Sequence, residues 1–311
     1  MEHRSIGPLS VSVVGMGCNN FGMRMSEQAD VDAVVNAALD AGVNYFDTAE
    51  LYGGGGVSEQ MLGAALATRR DEALIATKWG HEMNHPDGGP TADAATIRTK
   101  VEASLERLGV DVIDHYQLHQ PDPETPVVET LGVLQELIDE GKVRAIGCSN
   151  FSADQLDEMA SVAAENGLTP FHSVQNRYSL LTRTPETDGV LEACARHDVA
   201  FVPFFPLESG LLTGKVRKGQ EIPEGTRLAT PGAAERFQVD ERIDDAEKLI
   251  GFAEGEGHTV LELAFSWLLA QPQVVSVIAG ATRPEQIQGN AAAAGWDLSA
   301  DQLVAIESLL G

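Results

Sequence analysis

Along the chain, short apolar runs alternate with longer stretches whose apolar residues recur at three- and four-residue spacing. The first pattern suits buried strands and the second amphipathic helices, so their alternation predicts βα units around a parallel sheet. Eight runs read as strands: VSVVGMG (11–17), NYFDT (44–48), ALIATKW (73–79), VIDHYQL (112–118), VRAIGCS (143–149), FHSVQ (171–175), AFVPFF (200–205) and VVSVIAG (274–280). Helical stretches between them include DVDAVVNAALDAG (30–42), DAATIRTKVEASLERLG (93–109) and VVETLGVLQELIDEG (127–141). Ser152 with Gln155, and Ser299 with Gln302, read as capping boxes; Gly42, Gly109 and Gly141 stand where left-handed helix ends belong. Eight such repeats in 311 residues, with no linker-like change of composition, predict an α/β fold: a (β/α)8 TIM barrel forming a single domain over residues 1–311.

One segment breaks the rhythm. Residues 206–240, PLESGLLTGKVRKGQEIPEGTRLATPGAAERFQVD, follow the seventh predicted strand and are rich in Gly, Pro, Lys and Arg. Connectors of that length in a compact domain are usually functional or disordered, and this one leaves the C-terminal end of a barrel strand, where barrel sites lie. It is expected to form a lid or a strap over a cofactor.

Composition narrows the function classes. With 43% hydrophobic residues the chain can bury a large core, and 21 Lys+Arg against 47 Asp+Glu give a formal charge of −26. That charge repels nucleic acid and anionic membrane surfaces, so small molecules are the expected partners. Cys18, Cys148 and Cys194 are too few and too odd in number for a disulfide framework. Reduced thiols and a cytoplasmic setting are expected, because the start lacks a basic region leading into an apolar stretch and no run of about 18 apolar residues occurs. The sequon at Asn150 then has no route to glycosylation. Composition leaves the oligomeric state open.

Several motifs are misleading. HEMNH (81–85) has the letters of a zinc-protease motif, but that chemistry needs a helix, and the flanking Gly80 and PDGGP are loop composition. His115 and His119 are four apart on a predicted strand, separated by about 13 Å, too wide to share a metal. No metal is expected. The glycine run GGGG (53–56) lacks the Lys-Ser/Thr ending of a phosphate loop, and GMGCNNFG (15–22) misses the dinucleotide-loop spacing. Met23 and Met25 lie in that second loop, as a flexible apolar rim or a substrate-facing pair.

Ionisable side chains at the C-terminal ends of barrel strands are those expected to meet in a site. Asp47 ends the second run, Lys78 stands at the end of the third, His119 follows the fourth, and Tyr52 lies just beyond Asp47. Free tyrosine and lysine have pKa values near 10 and 10.4, so neither exchanges protons at neutral pH unless its surroundings shift it. A neighbouring Lys78 lowers the pKa of Tyr52, Asp47 holds Lys78 charged and in place, and His119 is available to bond a substrate oxygen. The set is expected to donate a proton to a developing alkoxide.

Seven ordered motifs, GVNYFDTAELYG (42–53), IATKWG (75–80), DHYQLHQPD (114–122), EGKVRAIGCSNFS (140–152), VQNRYSLL (174–181), PLESGLLTGK (206–215) and RPEQIQGN (283–290), resemble those of the aldo-keto reductase family over nearly the whole chain. The resemblance implies carbonyl reduction by a nicotinamide dinucleotide, with a catalytic tetrad at Asp47, Tyr52, Lys78 and His119. It further implies that Ser149, Asn150 and Gln175 hold the nicotinamide carboxamide and that Phe204 stacks on the ring. Leu207, Ser209, Gly210 and Lys215 would cover the pyrophosphate, with Gly280, Thr282, Arg283, Gln286 and Asn290 at the adenosine end. A capping box of Thr282 with Glu285 would put a helix N-terminus beside Arg283, which favours a 2′-phosphate and hence NADPH, with NADH still open.

Gly280, Gln286 and Gly289 stand where many members have Lys, Arg and an acidic residue, leaving Arg283 nearly alone in that preference. Asn19 replaces an aromatic of the substrate pocket, making that wall more polar, while Phe21 and Trp79 are expected to line the opening. The chain stops soon after LSADQLVAIESLLG, so small or open-fitting carbonyl substrates are expected rather than steroids. Two alternatives stand beside the reductase. One is a cofactor-binding, non-catalytic or redox-sensor subunit, since the family includes channel subunits; the other is a barrel lyase with Lys78 as Schiff-base nucleophile.

Overall fold

A computed structural model describes residues 1–84 and 88–310. Its central sheet contains β3 (Val14–Gly17), β4 (Tyr45–Asp47), β5 (Leu74–Trp79), β6 (Ile113–Leu118), β7 (Val143–Ser149), β8 (Ser173–Arg177), β9 (Ala200–Phe204) and β10 (Val277–Gly280). These eight strands are parallel, in the order β10-β3-β4-β5-β6-β7-β8-β9, with helices between successive strands. Phe201 N–H donates to Gln273 O at 2.7 Å and Val275 N–H donates to Phe201 O at 3.0 Å, which joins β9 to the chain entering β10 and all but closes the (β/α)8 barrel.

The first apolar run divides. Residues up to Ser12 belong to an antiparallel hairpin of β1 (His3–Ile6) and β2 (Leu9–Ser12), and the barrel strand starts at Val14. Ser12 Oγ donates to Val14 O (2.7 Å) and accepts from Asn44 N–H (3.0 Å), fixing the bend that an uninterrupted apolar run conceals. Ile6, Leu9 and Val11 pack against Tyr45, Ala76, Ala145 and Val202, so the hairpin plugs the barrel bottom with apolar surface. FHSVQ also moves: β8 begins two residues later and runs to Arg177, because Phe171 packs into the helix layer.

Helix ends follow local rules. Ser152 and Gln155 form a reciprocal capping box, Ser299 and Gln302 exchange the same pair of bonds, and Thr259 with Glu262 adds a third. Gly42, Gly109 and Gly141 have φ of 81°, 66° and 75°.

Strand alternation sorts side chains between two environments. Phe46, Ile75, Tyr116, Ile146, Val174 and Phe201 belong to the apolar layer under the helices, while Tyr45, Ala76, Ala145 and Val202 belong to the barrel interior. The same parity takes Asp47, Lys78, Gln117 and Gln175 inward. Deeper down, His115 is fully buried, with Nδ1 bonded to the Tyr45 hydroxyl (2.8 Å) and Nε2 to Ser173 Oγ (3.0 Å).

Burial, reinforced by His172 and Lys78, pushes the His115 pKa down to about 3. In the folded chain it therefore stays neutral where an unfolded histidine, with a pKa near 6.5, takes up a proton. Stability is expected to be retained above about pH 6.5 and to fall on acidification towards pH 3, by up to about 1.4 kcal/mol per pH unit for this group. Urea midpoints measured at pH 7 and pH 5 should show that drop; a flat profile would contradict it.

Candidate active site

Three successive strand ends, β4, β5 and β6, bring the ionisable residues together at the barrel mouth. Asp47 closes β4 and lies one strand from Lys78 on β5; Lys78 Nζ donates to Asp47 Oδ2 at 2.6 Å and to Thr48 O at 2.9 Å. Asp47 Oδ1 also accepts from Gln175 Nε2 (3.0 Å) and Gln117 Nε2 (3.3 Å). Tyr52 begins a short turn, its ring centroid 5.1 Å from Lys78 Nζ and 5.8 Å from the His119 ring at an 82° interplanar angle. The glycines that follow, Gly53 to Gly56, all have φ between 75° and 87°, a conformation that side chains oppose. A Cβ on Gly53 would lie 2.8 Å from Phe21 O, so this residue must also be bare for the neighbouring loop to pass.

His119 is 8% exposed, just past β6, and its main-chain N–H donates to Trp79 O at 2.7 Å. Asn150, at φ 63°, donates through Nδ2 to His119 O (3.0 Å) and Ser149 Oγ (3.1 Å), while Ser149 Oγ donates to Gln175 O (2.7 Å). A continuous hydrogen-bond network thus joins Asp47 to His119 through Gln175, Ser149 and Asn150.

Protonation states follow from burial and charge. Burial pushes the Tyr52 phenol upward; the Lys78 charge opposes this, Asp47 reinforces it, and the net direction is above the ordinary value. Lys78 therefore acts on Tyr52 in the expected sense without winning, and the phenol holds its proton at neutral pH. Burial works against the Lys78 charge, but Asp47 and Tyr52 outweigh it and raise its pKa. A charged lysine, fully buried and bonded at Asp47 and Thr48, does not present the neutral amine that Schiff-base chemistry requires. Burial, with Lys78 and His81, holds His119 well below the usual histidine range, so it is a neutral imidazole.

Tyr52, Asp47, His119 and Asn19 line a cleft of about 1400 Å³, together with Ser149, Asn150, Gln175, Phe204, Leu207, Ser209, Gly210, Lys215, Gly280, Thr282, Arg283, Gln286 and Asn290. Lys78 lies beneath its floor. Ser209 Oγ is buried without a hydrogen-bond partner among the described residues, and the far end holds Arg283 at the N-terminus of the helix Pro284–Ala293. Unpaired donors, a cation and a helix N-terminus are the donor set that phosphate groups need, and the volume exceeds that of an ordinary drug-sized pocket. The cleft therefore fits a dinucleotide.

Three expectations land elsewhere. Trp79 is fully buried and stacks on Tyr116 at 4.3 Å, because the residue after an inward Lys78 must face the helix layer. Phe21 is likewise fully buried in the apolar layer, within a turn closed by Phe21 N–H donating to Cys18 O. Thr282 does not pair with Glu285: Pro284 takes the first helical position, Arg283 becomes the N-cap, and Thr282 N–H donates to Gln286 Oε1 at 2.8 Å. Met25 reaches the cleft whereas Met23 is 70% exposed. His85 of HEMNH lies outside the described residues; Glu82–Asn84 is a short 3₁₀ turn, and among the described residues no cluster of three His, Cys, Asp or Glu is arranged to hold a metal. Among the same residues, no helix is long and apolar enough to cross a membrane.

The Aldo/keto reductase family model matches residues 13–310. The chain belongs to this family. It is 32% identical to the NADH-specific methylglyoxal reductase of Escherichia coli K12, over 94% of this chain and 92% of that protein. It is 33% identical to a probable voltage-gated potassium channel subunit beta of Arabidopsis thaliana, over 93% and 90% of the two. Among solved structures it resembles the glycerol dehydrogenase AKR11B4 of Gluconobacter oxydans, with a TM-score of 0.80, 31% identity and 97% and 92% coverage.

In this aldo-keto reductase the long segment after β9 folds over the cleft. It contains a 3₁₀ turn, Glu208–Thr213, and a short helix, Ala233–Arg236, before the helix Val239–Gly255 begins. Leu211, Val216, Leu228, Val239, Ile243 and Ala246 form a small apolar cluster of its own. Arg227 donates to Asn19 Oδ1 and Asn20 Oδ1, both at 3.2 Å, so the segment bridges to the loop after β3. Its root is Glu208, 2% exposed, which accepts from Arg177 (2.5 Å), Arg242 (2.6 Å), Thr182 Oγ1 (2.7 Å) and Ser179 Oγ. Sequence reading gave no role to Glu208 or Arg227 and weighed His81 only within the rejected zinc motif: the first is a lone acid in a loop, and the others depend on where loops return. Glu208→Ala is expected to lower stability by roughly 2–3 kcal/mol, since two cations lose their shared partner. Limited proteolysis should then cut within 206–238 sooner than in the parent chain; unchanged cutting and an unchanged urea midpoint would refute the anchor.

Proposed function

We propose that this protein reduces small aldehydes or ketones to alcohols with a nicotinamide dinucleotide, using Tyr52 as general acid. The observation that carries the reading is the placement of the Tyr52 phenol beside the buried Lys78–Asp47 pair and His119 in a cleft sized for a dinucleotide. A bound nicotinamide supplies the hydride. Ser149, Asn150 and Gln175 would hold its carboxamide and Phe204 its ring face, with Leu207, Ser209, Gly210 and Lys215 over the pyrophosphate and Gly280 to Asn290 at the adenosine. His119, neutral and fixed through its main chain, donates to the carbonyl oxygen. Tyr52 gives its proton to the developing alkoxide, and the charge left on its oxygen is stabilised by Lys78. Asp47 keeps Lys78 charged and aimed.

Tyr52→Phe is expected to lose at least about a hundredfold in kcat while binding the dinucleotide with unchanged affinity, read by absorbance at saturating cofactor and by nicotinamide fluorescence. Wild-type turnover in the Phe variant would overturn the mechanism. Arg283 gives NADPH the advantage over NADH, although Glu285 lines the same end of the cleft and opposes it. Arg283→Ala should lower the ratio of kcat/KM for NADPH over NADH by roughly tenfold, the worth of one charge-assisted contact; an unmoved ratio would remove Arg283 from that role.

A second reading, a nicotinamide-binding subunit without turnover, is favoured by the channel-subunit relative. Tight dinucleotide binding with no oxidation of NADPH or NADH across a panel of aldehydes, ketones and sugars would support it.

A further inference from the structure

The loop after β5 adds a group that the reaction above does not use. At Gly80 the backbone takes φ 83°, its N–H donates to Glu50 Oε1 at 3.1 Å, and a Cβ there would lie 2.7 Å from Leu118 Cδ1. The chain is thereby turned back over the barrel mouth, and His81 enters the wall of the cleft. Its ring lies 5.0 Å from that of His119 at an interplanar angle of 80°.

The hydrogen bonding fixes what His81 offers. Met83 N–H donates to His81 Nδ1 at 3.2 Å, so Nδ1 is an acceptor and the proton of the neutral ring sits on Nε2. Beside Tyr52 O–H and His119 N–H, the two donors given to the carbonyl oxygen, the cleft wall thus adds a third at His81 Nε2–H. A carbonyl oxygen has two lone pairs, and Tyr52 and His119 satisfy both. A plain alkanal or alkanone has no acceptor left for His81. A substrate carrying a second oxygen on the carbon next to the carbonyl supplies one, at the short reach that separates the two imidazoles. The lining is polar elsewhere too, with Arg227 donating to Asn19 Oδ1.

We propose that His81 is a specificity-determining residue that recognises an oxygen on the carbon adjacent to the carbonyl, so that the substrates are short α-hydroxy or α-oxo carbonyl compounds. The assignment rests on the reductase reading of the same site.

Two substrate pairs of nearly equal shape test it: hydroxyacetone against butanone, and glycolaldehyde against propanal. The wild-type enzyme should favour the oxygenated member in kcat/KM by at least about tenfold, the worth of one hydrogen bond. His81→Phe keeps an aromatic ring against His119 and should erase that preference, by slowing the oxygenated member alone. His81→Gln, which retains a side-chain N–H donor, should restore part of it. Dinucleotide binding measured by nicotinamide fluorescence should be equal in all three proteins, which reports intact folding. If His81→Phe leaves the ratio unchanged, or slows both members equally, His81 only packs against His119 and the proposal is wrong. If the wild-type enzyme binds dinucleotide but reduces none of the four compounds, the reductase reading itself fails, and this proposal with it.

Discussion

The site depends on one buried ion pair, Lys78 with Asp47, in which the lysine is fully and the carboxylate almost fully buried at the barrel mouth. Taking two charges out of water costs several kcal/mol each, and their attraction offsets this only when the remaining lone pairs and protons are also satisfied. Here they are: Asp47 receives Gln117 and Gln175 as well as Lys78, and Lys78 reaches Thr48 O. The arrangement ties four strands, β4, β5, β6 and β8, to one carboxylate. It also sets the field in which Tyr52 keeps its proton and His119 stays neutral.

Around that pair, one polar network and one tether divide the remaining work. The network from Gln175 through Ser149 and Asn150 to His119 links the floor of the cleft to its wall by hydrogen bonds at three neighbouring strand ends. Glu208 ties the covering segment to β8 and to the helix Val239–Gly255, and Arg227 ties its far part to the loop after β3. With Glu208 and Arg227 held, and Arg217 paired with Glu247 between them, the covering segment is part of the cleft wall.

The strand ends were legible because ionisable residues there break an otherwise apolar pattern, and Asp47, Lys78 and His119 do so conspicuously. Parity was legible too, yet its consequence for Trp79 was missed: adjacent residues of a strand cannot both face the interior. Phe21 was misplaced for a different reason, since nothing local says which way a turn folds its aromatic. At Thr282 the proline two residues on decided the cap, moving the helix start and leaving Thr282 to bond Gln286 instead.

By itself, the sequence determined the repeat of strands and helices, the barrel class, the strand-end residues and the helix caps, because each rests on interactions within a few residues of chain. Only the tertiary structure decided that the hairpin plugs the bottom, that burial outweighs Lys78 in setting the Tyr52 proton, that Glu208 anchors the covering segment and that His81 returns beside His119. Those outcomes depend on groups tens to hundreds of residues apart, brought together by closure of the barrel, and on the low dielectric which that closure creates.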